Sequence, residues 1–377
     1  MTSDLIVFGE DWGGLPSSTQ HLVKRLRETR KILWVNSIGL RKPRLNLADS
    51  QRVLQKLRSP ARKKPRSPEP PHENFTILNP LTIPAPVSAP ARWLARRMLR
   101  RQLRAAIHRA GLHRPLLWMS LPTAADMVGQ LDETGSVYYC GDDFSALAGV
   151  DHATAAAREA ELCAKADLII TASENLQHRF PANKTQLLTH GVDYRLFSTP
   201  IERSADLPAN GKPTAGFYGS LSEWFDTELM SEVARRMPHW NFVFVGRICT
   251  DLSSLASLGN VYFPGPRAHA ELPGFSQHWD VSLLPFRDNA QIRACNPLKL
   301  AEYLAAGKPV VSTAFPAVEA YRPLVSITDG SEQMIAGIEI SRRLARCAQH
   351  RERLRTAVSQ QSWEARAARV SAWLESL

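Results

Sequence analysis

The stretch from Asn296 to Thr313, NPLKLAEYLAAGKPVVST, combines residue types that can bind phosphate and sugar. Its apolar residues recur at helical spacing up to Gly307, a residue that stops helices, and the Pro-Val-Val that follows predicts a buried strand. Pro297 stands where the helix should begin, because the first helical position needs no amide proton. The residues from Asn296 to Leu298 would therefore present backbone N–H groups and the positive end of the helix dipole, which attract phosphate.

Two charged side chains fall on one face of this predicted helix. Lys299 places a positive charge in its first turn, and Glu302, three residues later, can accept hydrogen bonds from a sugar diol. A nucleotide-sugar site needs a positive charge and backbone amides that bind the phosphates, and a carboxylate beside them that binds the sugar. The alternative is an ordinary amphipathic helix on a parallel sheet, with the two side chains as a solvated pair.

The run Pro-Leu-Lys-Leu-x-Glu-Tyr-x-Ala-x-Gly, which begins at Pro297, resembles the donor-binding helix of glycosyltransferases with the GT-B fold. It is similar in particular to the family 4-like enzymes, glycosyl transferases group 1, that build bacterial surface polysaccharides. The resemblance implies an α/β fold with two Rossmann-like, doubly wound parallel-sheet domains facing a cleft. It also implies that Glu302 holds the ribose of the donor nucleotide and that Lys299 and the groups before it face the diphosphate.

The size and composition of the chain fit two soluble domains. A chain of 377 residues exceeds the usual single domain, and its 44% hydrophobic and 22% charged residues are typical of globular proteins. No apolar run approaches the roughly 20 residues of a membrane span. The first apolar run has no basic segment before it, which favours a strand over a signal peptide. Five widely spaced cysteines without a CxxC pair indicate free thiols in a reducing cytoplasm and no metal site.

Short apolar strands alternate with helices through both halves of the chain, which predicts a parallel sheet in each. Loss of periodicity over residues 199–213 predicts a linker. We therefore expect one domain over residues 1–198 and a second over 213–356, and the resemblance implies that the first binds the acceptor and the second the donor. By the resemblance, a C-terminal helix within 357–377 packs back toward the N-terminal domain. The strands are predicted at Leu5–Phe8, Lys31–Val35, Leu116–Met119, Ser136–Cys140, Asp167–Thr171, Leu187–Asp193, Thr214–Gly219, Asn241–Val245, Asn260–Phe263, Asp280–Leu284 and Pro309–Thr313.

Acidic residues and glycines follow the first strand, at the edge where open α/β sheets bind ligands. The glycine spacing is not GxGxxG, so it predicts no dinucleotide site. A tight turn before a capped helix accounts for the glycines and serines, whereas the resemblance implies that this loop faces the acceptor. The residues assigned to the acceptor side are Glu10, Gly13, Gly14, Ser17 and Ser18.

Asp142 and Asp143 end the strand predicted at Ser136–Cys140 and are the main candidates for a general base, followed by Asp11. Neighbouring carboxylates raise one another's pKa, which suits a base that works near neutral pH. One of the pair could instead cap the following helix. Adjacent acids do not form the DxD pattern of a metal-bound diphosphate, so we expect a metal-independent reaction without a cofactor.

Further donor-binding residues are predicted where strands of the second domain end, at Gly219, Ser220 and Arg247. The chain departs from the family here, because Ser220 and Phe225 stand near the places of an arginine and a lysine that many members carry. The diphosphate must therefore rely on other donors, of which Lys299 is the first.

A second departure concerns the donor sugar. Family 4 enzymes usually carry a glutamate eight positions before the one that matches Glu302, and here that position is Ala294. Asn289, Gln291 and Arg293 could supply the sugar contacts instead. Retention of anomeric configuration follows from the family, whereas an aspartate base would give inversion.

The net charge of +11 is concentrated in one segment: residues 41–114 hold 18 Lys and Arg and only three acids. Its first part, 41–90, is rich in Pro and predicts a flexible insertion. Residues 91–110 predict a basic amphipathic helix, and such helices lie on anionic membrane surfaces. A helix docked on its domain with a solvated arginine face, or a nucleic-acid contact, are the alternatives. The arginines assigned to the membrane are Arg96, Arg97, Arg100 and Arg101.

These observations predict a cytoplasmic glycosyltransferase, peripheral to the inner membrane, that moves a sugar from a nucleotide-diphosphate sugar to a lipid-linked or polysaccharide acceptor. A nucleotide-sugar epimerase of the same fold is the enzymatic alternative. A basic nucleic-acid-binding protein would explain the charge but not the NPLKLAEY helix. Aromatic residues for base stacking are scarce in the basic segment, so no nucleic-acid partner is expected.

Overall fold

A computed structural model describes residues 2–14, 17–37, 72–83, 86, 88–144 and 151–377. The chain divides into two compact units, one of Met1–Leu188 with Ala367–Leu377 and the other of Thr189–Arg366. Most of the predicted Pro-rich insertion, residues 41–71, lies outside the described residues.

The first unit is built on a seven-stranded parallel sheet in the order β3-β2-β1-β4-β5-β6-β7. β1 lies between β2 and β4, with Leu5 aligned with Ile32 on one side and with Leu116 on the other. The central strands are buried on both faces, which explains their continuous apolar sequences. The strands are β1 (Leu5–Phe8), β2 (Ile32–Val35), β3 (Phe75–Leu78), β4 (Leu116–Met119), β5 (Gly135–Cys140), β6 (Leu168–Thr171) and β7 (Thr185–Leu187).

Helices connect these strands and begin at side-chain caps where the sequence offers them. Ser17, Ser88, Asp151 and Ser173 each accept a hydrogen bond from a first-turn amide. The helices are α1 (Ser18–Leu26), α2 (Ala89–Ala110), α3 (His152–Lys165) and α4 (Glu174–Gln177), with 3₁₀ turns at Pro122–Met127 and Ala182–Lys184.

The second unit has a six-stranded parallel sheet in the order β10-β9-β8-β11-β12-β13. Its strands are β8 (Thr214–Tyr218), β9 (Asn241–Val245), β10 (Val261–Tyr262), β11 (Val281–Leu284), β12 (Val310–Thr313) and β13 (Val325–Thr328). Its helices are α5 (Tyr194–Ser198), α6 (Thr227–Arg236), α7 (Ser253–Ala256), α8 (Pro273–Ser276), α9 (Ala290–Ala294), α10 (Leu298–Ala306), α11 (Pro316–Glu319), α12 (Gly330–Ala345) and α13 (Ala348–Val358), with a 3₁₀ turn at His269–Glu271. The predicted α/β class with two doubly wound sheets is confirmed.

Two predictions of local structure are wrong, and one strand was not predicted. The strand predicted at Leu187–Asp193 is β7, which ends at Leu187. Residues 75–78 form strand β3 at the sheet edge, although their position in a Pro-rich segment suggested a loop. The edge strand β13 was missed because its short VSIT sequence is only partly buried. Edge strands pack on fewer neighbours, so their sequences carry a weaker apolar signal.

The units divide earlier in the chain than the sequence predicted. Val192 and Phe197 belong to the core of the second unit, and Val192 pairs with Ser362 in an isolated bridge. Residues 189–198 therefore belong to the second unit, and Leu207, within the predicted linker, is also part of its core.

The final helix, α14 (Trp363–Glu375), begins in the second unit, and its residues from Ala367 belong to the first. Within the first unit, the Arg30 guanidinium donates to the Ser3 carbonyl at 3.3 Å and to the Ser371 hydroxyl, and lies 3.8 Å from Glu375. Burial lowers the pKa of Arg30. A buried arginine with these partners fixes the end of α14 on its unit.

His190, at the start of the second unit, makes stability depend on pH. Burial, and then the charge of Arg366, lower the pKa of His190 from 6.5 to about 4. The unfolded chain binds the proton more readily, so this stability is complete above pH 6.5 and is lost as the pH falls toward 4. From pKa values of 6.5 in the unfolded chain and about 4 in the folded chain, we expect a loss of about 1 to 2 kcal/mol between pH 7 and pH 5.

Urea unfolding of wild type and His190→Gln at several pH values measures this effect. The substitution should flatten the stability curve between pH 7 and pH 5, whereas replacement of the exposed His113 should leave it unchanged. Parallel curves for wild type and His190→Gln would contradict the prediction.

Candidate functional site

The donor helix predicted from NPLKLAEY is α10, which ends at Gly307 in the left-handed conformation with φ 74°. It begins at Leu298, because Pro297 is extended, with φ −73° and ψ 121°, and occupies the N-cap position. Pro297 was among the residues predicted to donate an N–H group to phosphate. It has no amide proton, so that part of the prediction is wrong. Its carbonyl accepts from the Leu300 amide at 3.1 Å. The first-turn amides of α10 still point out of its N-terminal end.

This helix begins beside the point where the strand order of the second sheet reverses. β8 pairs with β9 on one side and with β11 on the other, and open parallel sheets bind ligands beyond the carboxyl ends of such strands. The loops there are Gly219–Phe225 after β8 and Pro285–Phe286 after β11.

The side chain of Lys299 extends into this region and is enclosed by aromatic rings. Its Nζ lies 5.5 Å from the ring centroids of Phe217, Trp224 and Phe286. A Cβ added to Gly219 would lie 3.0 Å from Lys299 Cε, so the lysine stem runs directly over that glycine. Cation–π attraction therefore holds the ammonium at the carboxyl end of β8.

Gly219 and Gly246 end the adjacent strands β8 and β9 and pack against each other. Their φ angles are 139° and 152°, and a Cβ on Gly246 would lie 1.9 Å from the Gly219 carbonyl oxygen. Only glycine allows this approach, which leaves the backbone accessible beside Lys299. Ser220 continues this turn half-buried, and the side chain of Arg247 is exposed directly after Gly246.

Glu302 lies one turn after Lys299 and is buried, with its side chain 10% exposed. Its Oε1 is 2.8 Å from His269 Nε2, and the His269 ring packs edge-on against Phe197 with centroids 5.4 Å apart. Burial, and then the charge of Glu302, raise the pKa of Tyr218 well above its usual value. The carboxylate is thus held in a defined position, unlike the solvated pair considered as an alternative.

Two of the residues considered for contact with the donor sugar, Asn289 and Arg293, already bind other groups of the protein. Asn289 caps α9 by accepting from the Ile292 amide at 2.9 Å. Arg293 forms two bonds of 2.6 Å with Asp288, and both side chains are exposed. Asn289 Oδ1 and the Arg293 guanidinium therefore already have protein partners, and their contact with the donor sugar stays a prediction.

In the first unit, the acidic loop after β1 is hydrogen-bonded to residues at the start of α1. Glu10 Oε1 accepts from the Ser17 hydroxyl and from Gln20 Nε2, the latter at 2.9 Å. Asp11 accepts from the Ser37 amide at 3.2 Å, and its carbonyl accepts from the Gly14 amide at 3.1 Å.

Of the other residues assigned to the acceptor side, Gly13 has φ 78° and Ser18 is buried beside Tyr139. The turn-and-cap explanation accounts for these contacts. The acceptor role of the loop stays a prediction.

Asp142 and Asp143 are placed in different surroundings. Asp143 Oδ1 is 2.7 Å from Arg179, which also binds Glu159 at 2.9 Å, and Glu159 accepts from the buried Tyr138 hydroxyl at 2.6 Å. Asp142 is exposed. The next helix that the structure describes, α3, is capped by Asp151. Residues 145–150 lie outside the described residues, so the idea that one of the pair caps a following helix stays a prediction.

His269 and the aromatic rings around Lys299 were not among the site residues predicted from the sequence. His269 is 33 positions before Glu302 and belongs to a different loop. A lone histidine in a Pro- and Gly-rich loop after a strand was the only signal.

Among the residues that the structure describes, no group of three or more His, Cys, Asp or Glu residues is arranged to hold a metal ion. Metal independence itself stays a prediction.

The family comparison concerns the second unit. Residues 212–340 match the family model described as Glycosyl transferases group 1. The Bacillus subtilis (strain 168) protein TuaH, named as a teichuronic acid biosynthesis glycosyltransferase, is 33% identical over 139 residues. The alignment covers 35% of this chain and 35% of that protein, so the chain is matched to about a third of the length of this relative.

Solved structures are similar along the whole chain. Anabaena HepE in complex with UDP and glucose has a TM-score of 0.69 at 15% identity, with 100% of both chains covered. Sucrose-phosphate synthase from Thermosynechococcus elongatus has a TM-score of 0.68 at 16% identity, covering 99% of this chain and 98% of its own. An E. coli structure titled trehalose-6-phosphate, bound with UDP-2-fluoro glucose, has a TM-score of 0.66 at 12% identity, covering 100% and 99%.

The chain has the GT-B fold that these solved structures share, and its residues 212–340 match the glycosyl transferases group 1 model. The resemblance expected from the NPLKLAEY helix, to the group that includes bacterial surface-glycan enzymes, is therefore confirmed.

Proposed function

We propose that this chain transfers a sugar from a nucleotide-diphosphate sugar to a lipid-linked or polysaccharide acceptor during synthesis of a bacterial surface glycan. The observation that carries the proposal is the placement of the Lys299 ammonium over Gly219, one turn before a buried Glu302, where the strand order reverses. The name of the relative TuaH supports a surface-glycan pathway, and the UDP complexes of the neighbours make uridine the first donor base to test.

In this proposal Lys299 and the first-turn amides of α10 stabilise the diphosphate as it departs. Negative charge develops on the leaving oxygen in the transition state, and a fixed ammonium beside a helix N-terminus stabilises it without reorganisation. Arg247, Gly219 and Ser220 line the same turns, and Glu302 binds the ribose hydroxyls. This set needs neither a metal nor a cofactor, so the proposed reaction is metal-independent.

Asp142 is proposed as the carboxylate that accepts a hydrogen bond from the acceptor hydroxyl, because Asp143 is already held by Arg179. Asp142→Asn should lower kcat by roughly 10- to 100-fold, since a hydrogen bond to a charged group contributes about 1.5 to 3 kcal/mol. Nucleotide binding should be unchanged. Asp143→Asn should chiefly lower thermal stability, because it removes one partner of Arg179. The reverse pattern, with Asp143 essential and Asp142 dispensable, would reject the assignment.

Retention of anomeric configuration is the proposed outcome, in line with the resembling family. The configuration of the product, read by NMR, tests it. An inverted product that depends on Asp142 would assign that residue as an in-line base and refute retention.

The proposed location is the cytoplasm, at the inner membrane, where Arg96, Arg97, Arg100 and Arg101 of α2 contact anionic lipid. No helix in the described part of the chain is long and apolar enough to cross a bilayer. At about 1 kcal/mol for each basic residue near an anionic surface, these side chains would hold the protein there reversibly.

A thermal-stability screen with uridine, guanosine and thymidine diphosphates tests the donor site. The matching nucleotide at 100 times its Kd should add about 2.7 kcal/mol of stability. Product analysis without acceptor then separates the two enzymatic readings, because an epimerase converts the free nucleotide sugar, whereas a transferase at most hydrolyses it slowly. Stabilisation by none of the three nucleotides would overturn the proposal.

A further inference from the structure

We infer that the exposed face of α2 is a membrane-insertion surface, in which apolar side chains enter an anionic bilayer between arginines that bind its headgroups. This extends the membrane contact of the proposed function, which was assigned to arginine charge alone. The insertion face is defined by four apolar residues of the first unit: Leu81, Trp93, Leu94 and Met98.

These apolar side chains are unusually exposed for their size. Leu81 is 76% exposed, Trp93 52%, Leu94 44% and Met98 37%. Trp93, Leu94 and Met98 form one group. They are positions i, i+1 and i+5 of α2, and residues at this spacing lie on one side of a helix.

Leu81 precedes α2 in the chain, and its backbone is hydrogen-bonded to that helix. Its amide donates to Gln102 Oε1 at 2.9 Å, and Gln102 Nε2 donates to the Leu81 carbonyl at 2.8 Å. Gln102 Nε2 also donates to the Met98 carbonyl at 3.0 Å, which places Leu81 next to the apolar turns. A backbone fixed in this way holds its leucine outward.

The arginines of α2 fall into two sets. Arg92 pairs with Asp126 and Glu161, and Arg104 pairs with Asp132 at 3.0 Å, so both serve the fold. The four arginines assigned to the membrane form no ion pair with any described residue: Arg96, Arg97, Arg100 and Arg101. The Arg97 guanidinium lies 5.6 Å from the Trp93 ring centroid, so charge and apolar surface are interleaved.

An anionic bilayer fits this mixture better than other partners do. Arginines at a bilayer interface keep their charge among the headgroups while their stems and neighbouring apolar residues enter the acyl boundary. A second copy of this chain in a twofold contact would bring the same arginines together, and like charges repel. Nucleic acid would bind the charge but leave the leucines and Met98 exposed to water.

Vesicle co-sedimentation of the full chain tests the inference, using phosphatidylcholine vesicles with and without phosphatidylglycerol. Wild type should bind the anionic vesicles. Leu81→Ser with Leu94→Ser should weaken this binding by at least about tenfold, because each leucine loses its burial in the acyl region. Arg97→Gln with Arg101→Gln should weaken it by a similar factor at low salt and make binding less dependent on salt.

Matched controls come from the second unit. Ile201→Ser with Ile340→Ser removes two similarly exposed aliphatic side chains, and Arg343→Gln with Arg346→Gln removes two exposed arginines. Both controls should bind as wild type does. All the positions are at the surface, so equal melting temperatures are expected and verify that every variant is folded.

Three outcomes would overturn the inference. They are serine variants that bind anionic vesicles as tightly as wild type, wild type that binds none, and self-association that the serine variants abolish. The assay contains no nucleotide sugar, so it is independent of the proposed function. A chain that binds vesicles but transfers no sugar removes the proposed transfer alone. A chain that transfers sugar without binding vesicles removes this inference and the proposed membrane location, but leaves the proposed transfer standing.

Discussion

Glu302→Ala is expected to reduce kcat/KM for the nucleotide sugar by roughly 100-fold or more while the protein stays folded. The carboxylate is buried and fixed by His269 at 2.8 Å, so it can accept hydrogen bonds from the ribose diol without reordering. A hydrogen bond to a charged group contributes about 1.5 to 3 kcal/mol, and two such bonds to a diol account for the expected loss. Steady-state kinetics and a thermal melt of the variant measure both parts.

The specificity of this effect can be checked with the ligand as well as with the protein. Wild type should prefer a nucleoside diphosphate over its 2′,3′-dideoxy analogue, and the variant should lose that preference if Glu302 contacts the diol. Glu319→Ala, which removes an exposed carboxylate from the same unit, serves as the control and should behave as wild type. Undiminished turnover in Glu302→Ala would remove this residue from the site.

His269→Gln belongs to the same experiment. The glutamine can still hydrogen-bond Glu302, so we expect a smaller loss of kcat/KM than for His269→Ala, which leaves the carboxylate without that support. Such a graded pair would identify His269 as a residue that positions Glu302.

Lys299→Met is expected to lower kcat by about 10²- to 10³-fold, the usual cost of losing one fixed group that stabilises developing charge. The methionine can still pack among the three rings around Lys299, so the change isolates the charge from the packing. Lys299→Arg should also be impaired, because a planar guanidinium does not replace a compact ammonium over Gly219.

A comparison of diphosphate with monophosphate distinguishes this lysine from Glu302. Lys299→Met should lose most of the preference for binding the nucleoside diphosphate over the monophosphate. Glu302→Ala should instead lower the affinity for both nucleotides by the same factor. Lys212→Met is the matched control, since it removes an exposed lysine of the same unit. An unchanged diphosphate preference in Lys299→Met would contradict a phosphate role.

The site was predictable where it depends on neighbours in sequence. Helical spacing, Pro297 and Gly307 set the position of α10 to within two residues, and the spacing of three residues put Lys299 and Glu302 on the same face. Likewise, continuous apolar runs located the central strands, because strands covered on both faces of a sheet need them.

Other parts of the site depend on which strands become neighbours. His269 reaches Glu302 across 33 positions, and the rings around Lys299 come from β8 and from loops after β8 and β11. Nothing in the local sequence specifies these contacts, since they follow from the order β9-β8-β11.

For Asp142 and Asp143, the sequence by itself determined that two carboxylates end one strand. The tertiary structure decided that Asp143 pairs with Arg179, which follows α4 in the chain. Local patterns thus determined the elements and their chemistry, through helical period, capping and burial. The assignment of partners required the assembled sheets, because side chains far apart in sequence meet only after the strands have paired.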